Sequence, residues 1–369
     1  MNYKKSLSYA YLFVILIFIF LSNSYFSYEE SLIFGGADGK SYFDISKYSP
    51  YLSEEPIQPI HAERFFFSYL IGLISKTLFI EIYTLNRIFV IFIIILINKY
   101  IIDFFLRLNK DKYFILLTLL ILNFNPYFSR FYIAVPLILN DLIFILGSII
   151  CINSFSNKNK KQFFLGLILS SLARQSAAAI CLSILFLKIF NNKDKFFLKS
   201  SDIFISFIIF LIIYFMGYLY SSNIPIEGTR SEQYFITIFG LFIENKNFKE
   251  LLIYFIWPLL SYGPLIIYFI LLIRKNLSFN KTNYNLNLFI LFFSILIVMQ
   301  PILQGLEVSG KNIIRLCTLA YPGILIFFII NSKKFKIKKI TFLFFIILSL
   351  IWSSHPTFSI FSYLEKFKF

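Results

Sequence analysis

Runs of about twenty apolar residues recur along this chain, and they constrain it more than any motif does. Leu85–Leu106 is the clearest of them. In lipid, a run of that length satisfies its backbone polar groups only as a helix. Barrel strands would alternate apolar and polar positions, and these runs do not. Charged residues make up 15% of the 369 residues and hydrophobic ones 58%. A soluble domain carries about 25% charged residues. A soluble enzyme, a disordered chain and a disulfide scaffold are therefore excluded. The expected fold is all-α: a polytopic integral membrane protein forming one transmembrane domain over residues 1–369.

Spans are expected near 7–21, 85–106, 113–128, 131–153, 163–175, 176–190, 201–220, 250–273, 286–303, 313–330 and 340–354, about eleven in all. The pieces 163–175 and 176–190 are short enough to pair as one hairpin. Lys4 and Lys5 precede the first run, and Ser22–Ser24 is a poor cleavage site, so that run reads as an uncleaved helix. The net charge of +16 is concentrated in clusters at Lys4/Lys5, Lys99–Lys112, Lys158–Lys161, Lys188–Lys199, Arg274–Lys281 and Lys333–Lys339. The positive-inside rule places all of them in the cytoplasm if 65–82, interrupted by Lys76 and Glu81, lies along the outer membrane surface. The N-terminus is then cytoplasmic and the C-terminus outside. The outer face carries a first loop at 22–84 with an amphipathic juxtamembrane helix, a second at 221–249, and a short one at 304–312. In the second, Pro225 and Gly228 mark a turn before an interfacial helix near 232–243. Membrane lipids are the implied surroundings. No nucleic-acid motif accompanies the basic charge. Cys151, Cys181 and Cys317 lie in apolar runs without metal-ligand spacing and read as core residues.

Chemistry concentrates in Phe34-Gly35-Gly36-Ala37-Asp38-Gly39-Lys40-Ser41-Tyr42-Phe43-Asp44. Glycines around Asp38 allow a tight turn and close approach of a substrate. A carboxylate there can take a proton from a hydroxyl, or help Asp44 hold a divalent cation. A solvated acid in an Asp-Gly turn is the other reading. Asp141 falls some ten residues into the 131–153 run. An acid at that depth is a functional candidate, or the structural partner of Arg130 or Arg174. Histidine is a residue type suited to proton transfer, but His61 reads as an incidental loop histidine. Glu29, Glu30, Glu54 and Glu55 read as solvated charges.

In order along the chain, these features resemble the GT-C superfamily of membrane glycosyltransferases, in its bacterial form. Asp38 with Tyr42 is placed like that family's acid and aromatic after the first helix. Gln58-Pro59-Ile60-His61-Ala62-Glu63-Arg64-Phe65 is similar to its Pro- and Arg-containing juxtamembrane stretch, and Asn86-Arg87 to the pair opening the next span. Gly166–Gln175 is similar to a hairpin ending in arginine, here Arg174, and Gly310–Arg315 to a segment before a late span. The resemblance implies a bacterial inner-membrane enzyme acting on the periplasmic side. It would move a sugar, with inversion, from a polyprenyl-phosphate donor to a lipid, glycan or protein acceptor. Asp38 would be the base. Tyr42, Arg64, Arg174, Lys311 and Arg315 would bind substrate, the last three at the lipid phosphate. A second acid, Glu227 or Glu232, would fill a later loop. The competing readings are a polysaccharide polymerase or ligase, a lipid or glycan transporter, and a non-catalytic assembly partner.

Overall fold

The computed structural model describes residues 2–108, 112–190, 197–229, 256, 259, 261–267, 284–309, 312–331 and 339–353. These residues form helices and no β-strand; one isolated parallel bridge joins Ile57 to Ile226. The helices are α1 (Asn2–Ser22), α2 (Tyr28–Tyr48), α3 (Pro59–Ala62), α4 (Phe65–Leu78), α5 (Ile82–Arg107), α6 (Lys112–Asn123), α7 (Phe131–Ala134), α8 (Leu139–Asn157), α9 (Lys160–Ala173), α10 (Ala178–Phe190), α11 (Ser200–Ser222), α12 (Tyr284–Ser309), α13 (Asn312–Thr318), α14 (Tyr321–Asn331) and α15 (Lys339–Ser353). Five helical segments are long and apolar enough to cross a membrane, or seven if each of two bent pairs counts as one span. This is the architecture of a membrane-embedded helical protein. Most of the expected run at 250–273, the helix near 232–243 and most of residues 221–249 lie outside the described residues.

At the centre stands α8, with every residue from Leu139 to Phe155 buried. It packs against α5, α9, α12 and α14. Helix α11 is peripheral, and Phe204, Leu211, Ile212 and Phe215 are exposed along it. An apolar face of that extent is suited to lipid and not to water. Small residues let α8 and α9 approach closely. A Cβ on Gly166 would lie 2.6 Å from Gly147 O and 2.8 Å from Cys151 N. Glycine is used here for contact between backbones, as in tightly packed transmembrane pairs. Paired amides fasten other helices: Asn98 and Asn123 exchange bonds of 3.0 and 2.7 Å between α5 and α6. Asn287 and Asn331 do the same between α12 and α14, at 2.9 and 3.0 Å.

Three expectations need correction. The glycine-rich segment around Asp38 is not a tight turn; it lies within α2. Ser27 caps that helix and Glu30 closes a capping box. The break is confined to Gly36, at φ +55°, a conformation glycine tolerates. The expected 131–153 run is not one helix. A π-turn at Pro126–Arg130, the short α7 and a 3₁₀ turn at Pro136–Ile138 precede α8. Asp141 therefore sits in the first turn of α8, not deep in a span. The 313–330 run is also broken, into α13 and α14 at an angle of 44°.

The 65–82 stretch yields α4, of 14 residues. At 1.5 Å per residue it reaches roughly 21 Å, short of the ~30 Å hydrocarbon core. It packs along α2, and Gly72 brings its backbone against Ser46. Gly217 of α11 similarly abuts the backbone of Glu63. The stretch from α2 to α4 is thus held on the bundle by its backbone as well as its side chains.

The two ends of α8 carry different chemistry. At one end, Arg107 of α5 donates to Asn153 and Asn157, while Lys160 pairs with Asp202 beside them in the chain. At the other end stand Asn140 and Asp141, roughly 20 Å away along the 19-residue helix.

Candidate functional site

Asp38, Ser41, Tyr42 and Ile45 share one face of α2 by their i, i+3 and i+4 spacing. That face meets α3, where Pro59 starts a short helix that carries His61. His61 Nε2 lies 2.7 Å from Asp38 Oδ1, and its Nδ1 lies 3.2 Å from Ser41 Oγ. An ionised carboxylate only accepts hydrogen bonds, so the ring proton facing it is on Nε2. In the neutral ring, Nδ1 then accepts from the Ser41 hydroxyl. The reading of His61 as an incidental loop residue is thereby corrected. The residue is buried, and its ring packs edge-on to Tyr42, at 5.8 Å between centroids.

The other oxygen of Asp38 is taken from far along the chain. Arg315 of α13 donates from Nη2 to Asp38 Oδ2 at 2.5 Å. The same guanidinium places Nε 3.7 Å from Asp141 Oδ2. Asp141 in turn pairs with Arg174 through its Oδ1, and Tyr132 donates to Oδ2 at 3.4 Å. Arg174 lies in extended backbone between α9 and the 3₁₀ turn that precedes α10. That interruption turns its side chain off the helical path at the end of α9. Arg130, the alternative partner for Asp141, is bound elsewhere, to Ser22, Asn23 and Ser353.

Arg64 completes the cluster. Its Nε donates to Gln175 Oε1 at 2.5 Å, and Nη1 reaches Tyr42 Oη at 3.5 Å. Gln175 Nε2 donates to Glu63 Oε2 at 3.1 Å, so Glu63 and Arg64 are bridged through it. Asn140 Nδ2 donates to the Arg64 carbonyl at 3.1 Å. On the α12 side, Ser176 donates to Gln300 at 2.7 Å.

Asp38, Tyr42, Arg64, Arg174 and Arg315 therefore meet in one cluster, joined by His61 and Asp141. Lys311 and Glu232 lie outside the described residues. The backbone N–H of Glu227 donates to the Ile57 carbonyl at 3.0 Å, which ties the stretch after α11 to the one before α3. Asp44 does not join Asp38. Its charged neighbours are Lys40, Glu55 and Lys47, and burial pushes its carboxyl up. Among the described residues, no three His, Cys, Asp or Glu side chains come together as a metal-ligand group. The divalent-cation reading of Asp38 and Asp44 thus finds no ligand set. Asn140, Gln175 and Gln300 carry no charge, and nothing in the sequence separated them from other polar residues at helix ends.

Burial opposes ionisation of Asp38, but the Arg315 guanidinium, His61 and Arg64 outweigh it. The carboxyl is held well below the usual range. For Arg64 burial also opposes the charge; Tyr42, Asp38 and Asp141 outweigh it and raise its pKa. A depressed carboxyl pKa stabilises the fold fully above the ordinary value, near pH 4, and the stabilisation is lost as pH falls below it. Thermal unfolding of wild type and Asp38→Asn in detergent should therefore differ most above about pH 5, and the gap should narrow steadily as pH falls below about 4. A gap that stayed constant over that interval would show Asp38 not to be the ionised partner.

Arg174, Gln300, Gln304 and Leu316 line a small cleft together with Ile297. Deeper along α12 and α14 lies an apolar groove of about 390 Å³. Ile290, Ile295, Val298, Met299 and Phe327 are among its walls. Comparison with known proteins adds no relative: no family model, curated protein or solved structure matches the chain.

Proposed function

We propose that this protein is a GT-C-like glycosyltransferase of a bacterial inner membrane. It uses a polyprenyl-phosphate sugar and a lipid, glycan or protein acceptor. The observation that carries this reading is the convergence of Asp38, Tyr42, Arg64, Arg174 and Arg315 at one end of the bundle. In this reading the chain crosses the membrane about eleven times with its N-terminus in the cytoplasm. The cluster end of α8 faces the periplasm and the Arg107–Lys160 end faces the cytoplasm, in keeping with the positive-inside rule.

Each part of the arrangement has work in such a transfer. Arg174 and Arg315 stabilise the departing phosphate, for which bidentate guanidinium is well suited. Asp38 accepts the proton of the acceptor hydroxyl as its oxygen attacks the anomeric carbon and the sugar–phosphate bond breaks. His61, held by Ser41, keeps that carboxylate aimed. The apolar groove on α12 and α14 accommodates the prenyl chain, since α12 also lines the cleft beside Arg174. An acyl chain of a lipid acceptor would compete for the same groove.

Mass spectrometry of envelope lipids, glycans and glycoproteins tests this. The strains carry wild type, a deletion, and Asp38→Asn at equal membrane level. A defined sugar should be missing from the deletion and reduced at least about a hundredfold by Asp38→Asn, the lower range for general-base assistance. An unchanged sugar profile in both strains would sink the proposal.

A further inference from the structure

The cluster has a feature that a simple anion site lacks: its cations are already occupied. Arg315 binds Asp38 and approaches Asp141, while Arg174 binds Asp141. All four side chains have little contact with solvent. Yet the donors are incompletely used. Arg174 Nε and Arg315 Nε and Nη1 are buried without a hydrogen-bond partner among the described residues. A buried guanidinium N–H left unpaired is costly. Asp38 and Asp141 face three guanidiniums, counting Arg64. Glu63 meets the cluster through Gln175.

We infer that Asp38 and Asp141 occupy, at rest, the place of a phosphate-class anion on Arg174 and Arg315, and that the anion binds by displacing them. A phosphate brings more acceptor oxygens than one carboxylate edge, so it can engage the unpaired N–H groups as well. The exchange deepens the proposed reaction, and rests on it, by ordering the two substrates. While Arg315 holds Asp38, that carboxylate is a weak base. Once the anion takes Arg315, Asp38 keeps only its bond to His61 and becomes able to accept a proton. The base is therefore armed only after the phosphate-bearing donor has bound, and an acceptor alone meets an unreactive carboxylate. Ser41 supports this by holding His61 on the far side of the ring, so that Asp38 is released from Arg315 without losing its position.

The test uses the purified full-length chain in nanodiscs and two probes, inorganic diphosphate and a C55 polyprenyl phosphate. Neutralising an internal competitor must strengthen anion binding. Asp38→Asn is expected to bind at least about tenfold more tightly than wild type, as one charge-assisted hydrogen bond is no longer displaced. Asp141→Asn should shift affinity the same way, and Arg315→Gln should lose it. Binding of diphosphate alone would assign the subsite to a free anion; tighter binding of the prenyl probe would assign it to a lipid headgroup. Asp38→Asn binding no tighter than wild type, or no binding of either probe, would overturn the inference. A second measurement needs no variant: carbodiimide labelling of Asp38 in wild type should rise when the probe is added, because a carboxyl freed from Arg315 protonates more readily. Tighter binding by Asp38→Asn with an unchanged sugar profile in cells would leave the exchange standing and remove the transferase reading. The converse result would do the reverse.

Discussion

Gly166→Leu should leave almost no folded protein in the membrane. The reason lies in what meets the new side chain. A Cβ at Gly166 comes within 2.6 Å of Gly147 O and 2.8 Å of Cys151 N, and both are backbone atoms of α8. A flexible side chain could move aside; a helix backbone cannot without parting α8 from α9 over their whole contact. Ordinary overpacking costs about 1–3 kcal/mol, and this clash lies beyond that range because no rotamer relieves it. The damage also reaches the site. Asp141 opens α8 and Arg174 follows α9, so parting the helices separates the pair. Size-exclusion profiles of detergent extracts would check this, with Leu165→Ala as control, since Leu165 is exposed on the same helix. A sharp, wild-type-like peak for Gly166→Leu would mean that α8 and α9 are not in backbone contact.

Asp141→Ala should be the most destabilising change within the cluster, by about 3–5 kcal/mol, the usual cost of leaving one member of a buried ion pair alone. That is a large share of a typical margin of about 5–15 kcal/mol. Arg174 would be left buried without its carboxylate, and Arg315 would lose a second anion. The double variant Asp141→Leu/Arg174→Met should recover most of the loss, because apolar pairs of similar volume often replace buried ion pairs without penalty. It should nonetheless bind neither anionic probe. Thermal unfolding of the single and double variants, with the binding assay alongside, separates the fold from the function. If Asp141→Ala unfolds no earlier than wild type, the pair is solvated and its chemistry is that of an ordinary surface bridge.

Much of this was legible because polar side chains at the ends of apolar runs are few and expensive. Arg174 and Arg315 stood out on that ground, and Asp38 by its glycines. The apolar runs themselves delivered α5, α11 and α12 close to their bounds. What misled was irregular backbone inside protein. Pro126–Ile138 is largely apolar, and only Pro126 and Pro136 mark in its letters the break that delays α8 to Leu139. Asp141 consequently stands in the first turn of α8 instead of ten residues into a helix. Helix α2 was missed for the opposite reason: its composition is polar and glycine-rich, although the Ser27–Glu30 capping box was there to be read. His61 gained its meaning only from tertiary contact, since a histidine four residues before a short apolar helix has no local signature.

The order in which the cluster's members lie in the chain has a consequence for biogenesis. Asp38 and His61 leave the ribosome early, Asp141 and Arg174 near the middle, and Arg315 late. A nascent chain that has delivered α10 already holds the Arg174–Asp141 pair, but Asp38 has no guanidinium from α13 beside it. The last salt bridge therefore closes only when the second half of the protein has been inserted. A chain stalled before Asn312 lacks Arg315, so its Asp38 has only His61 and Arg64 to offset its charge.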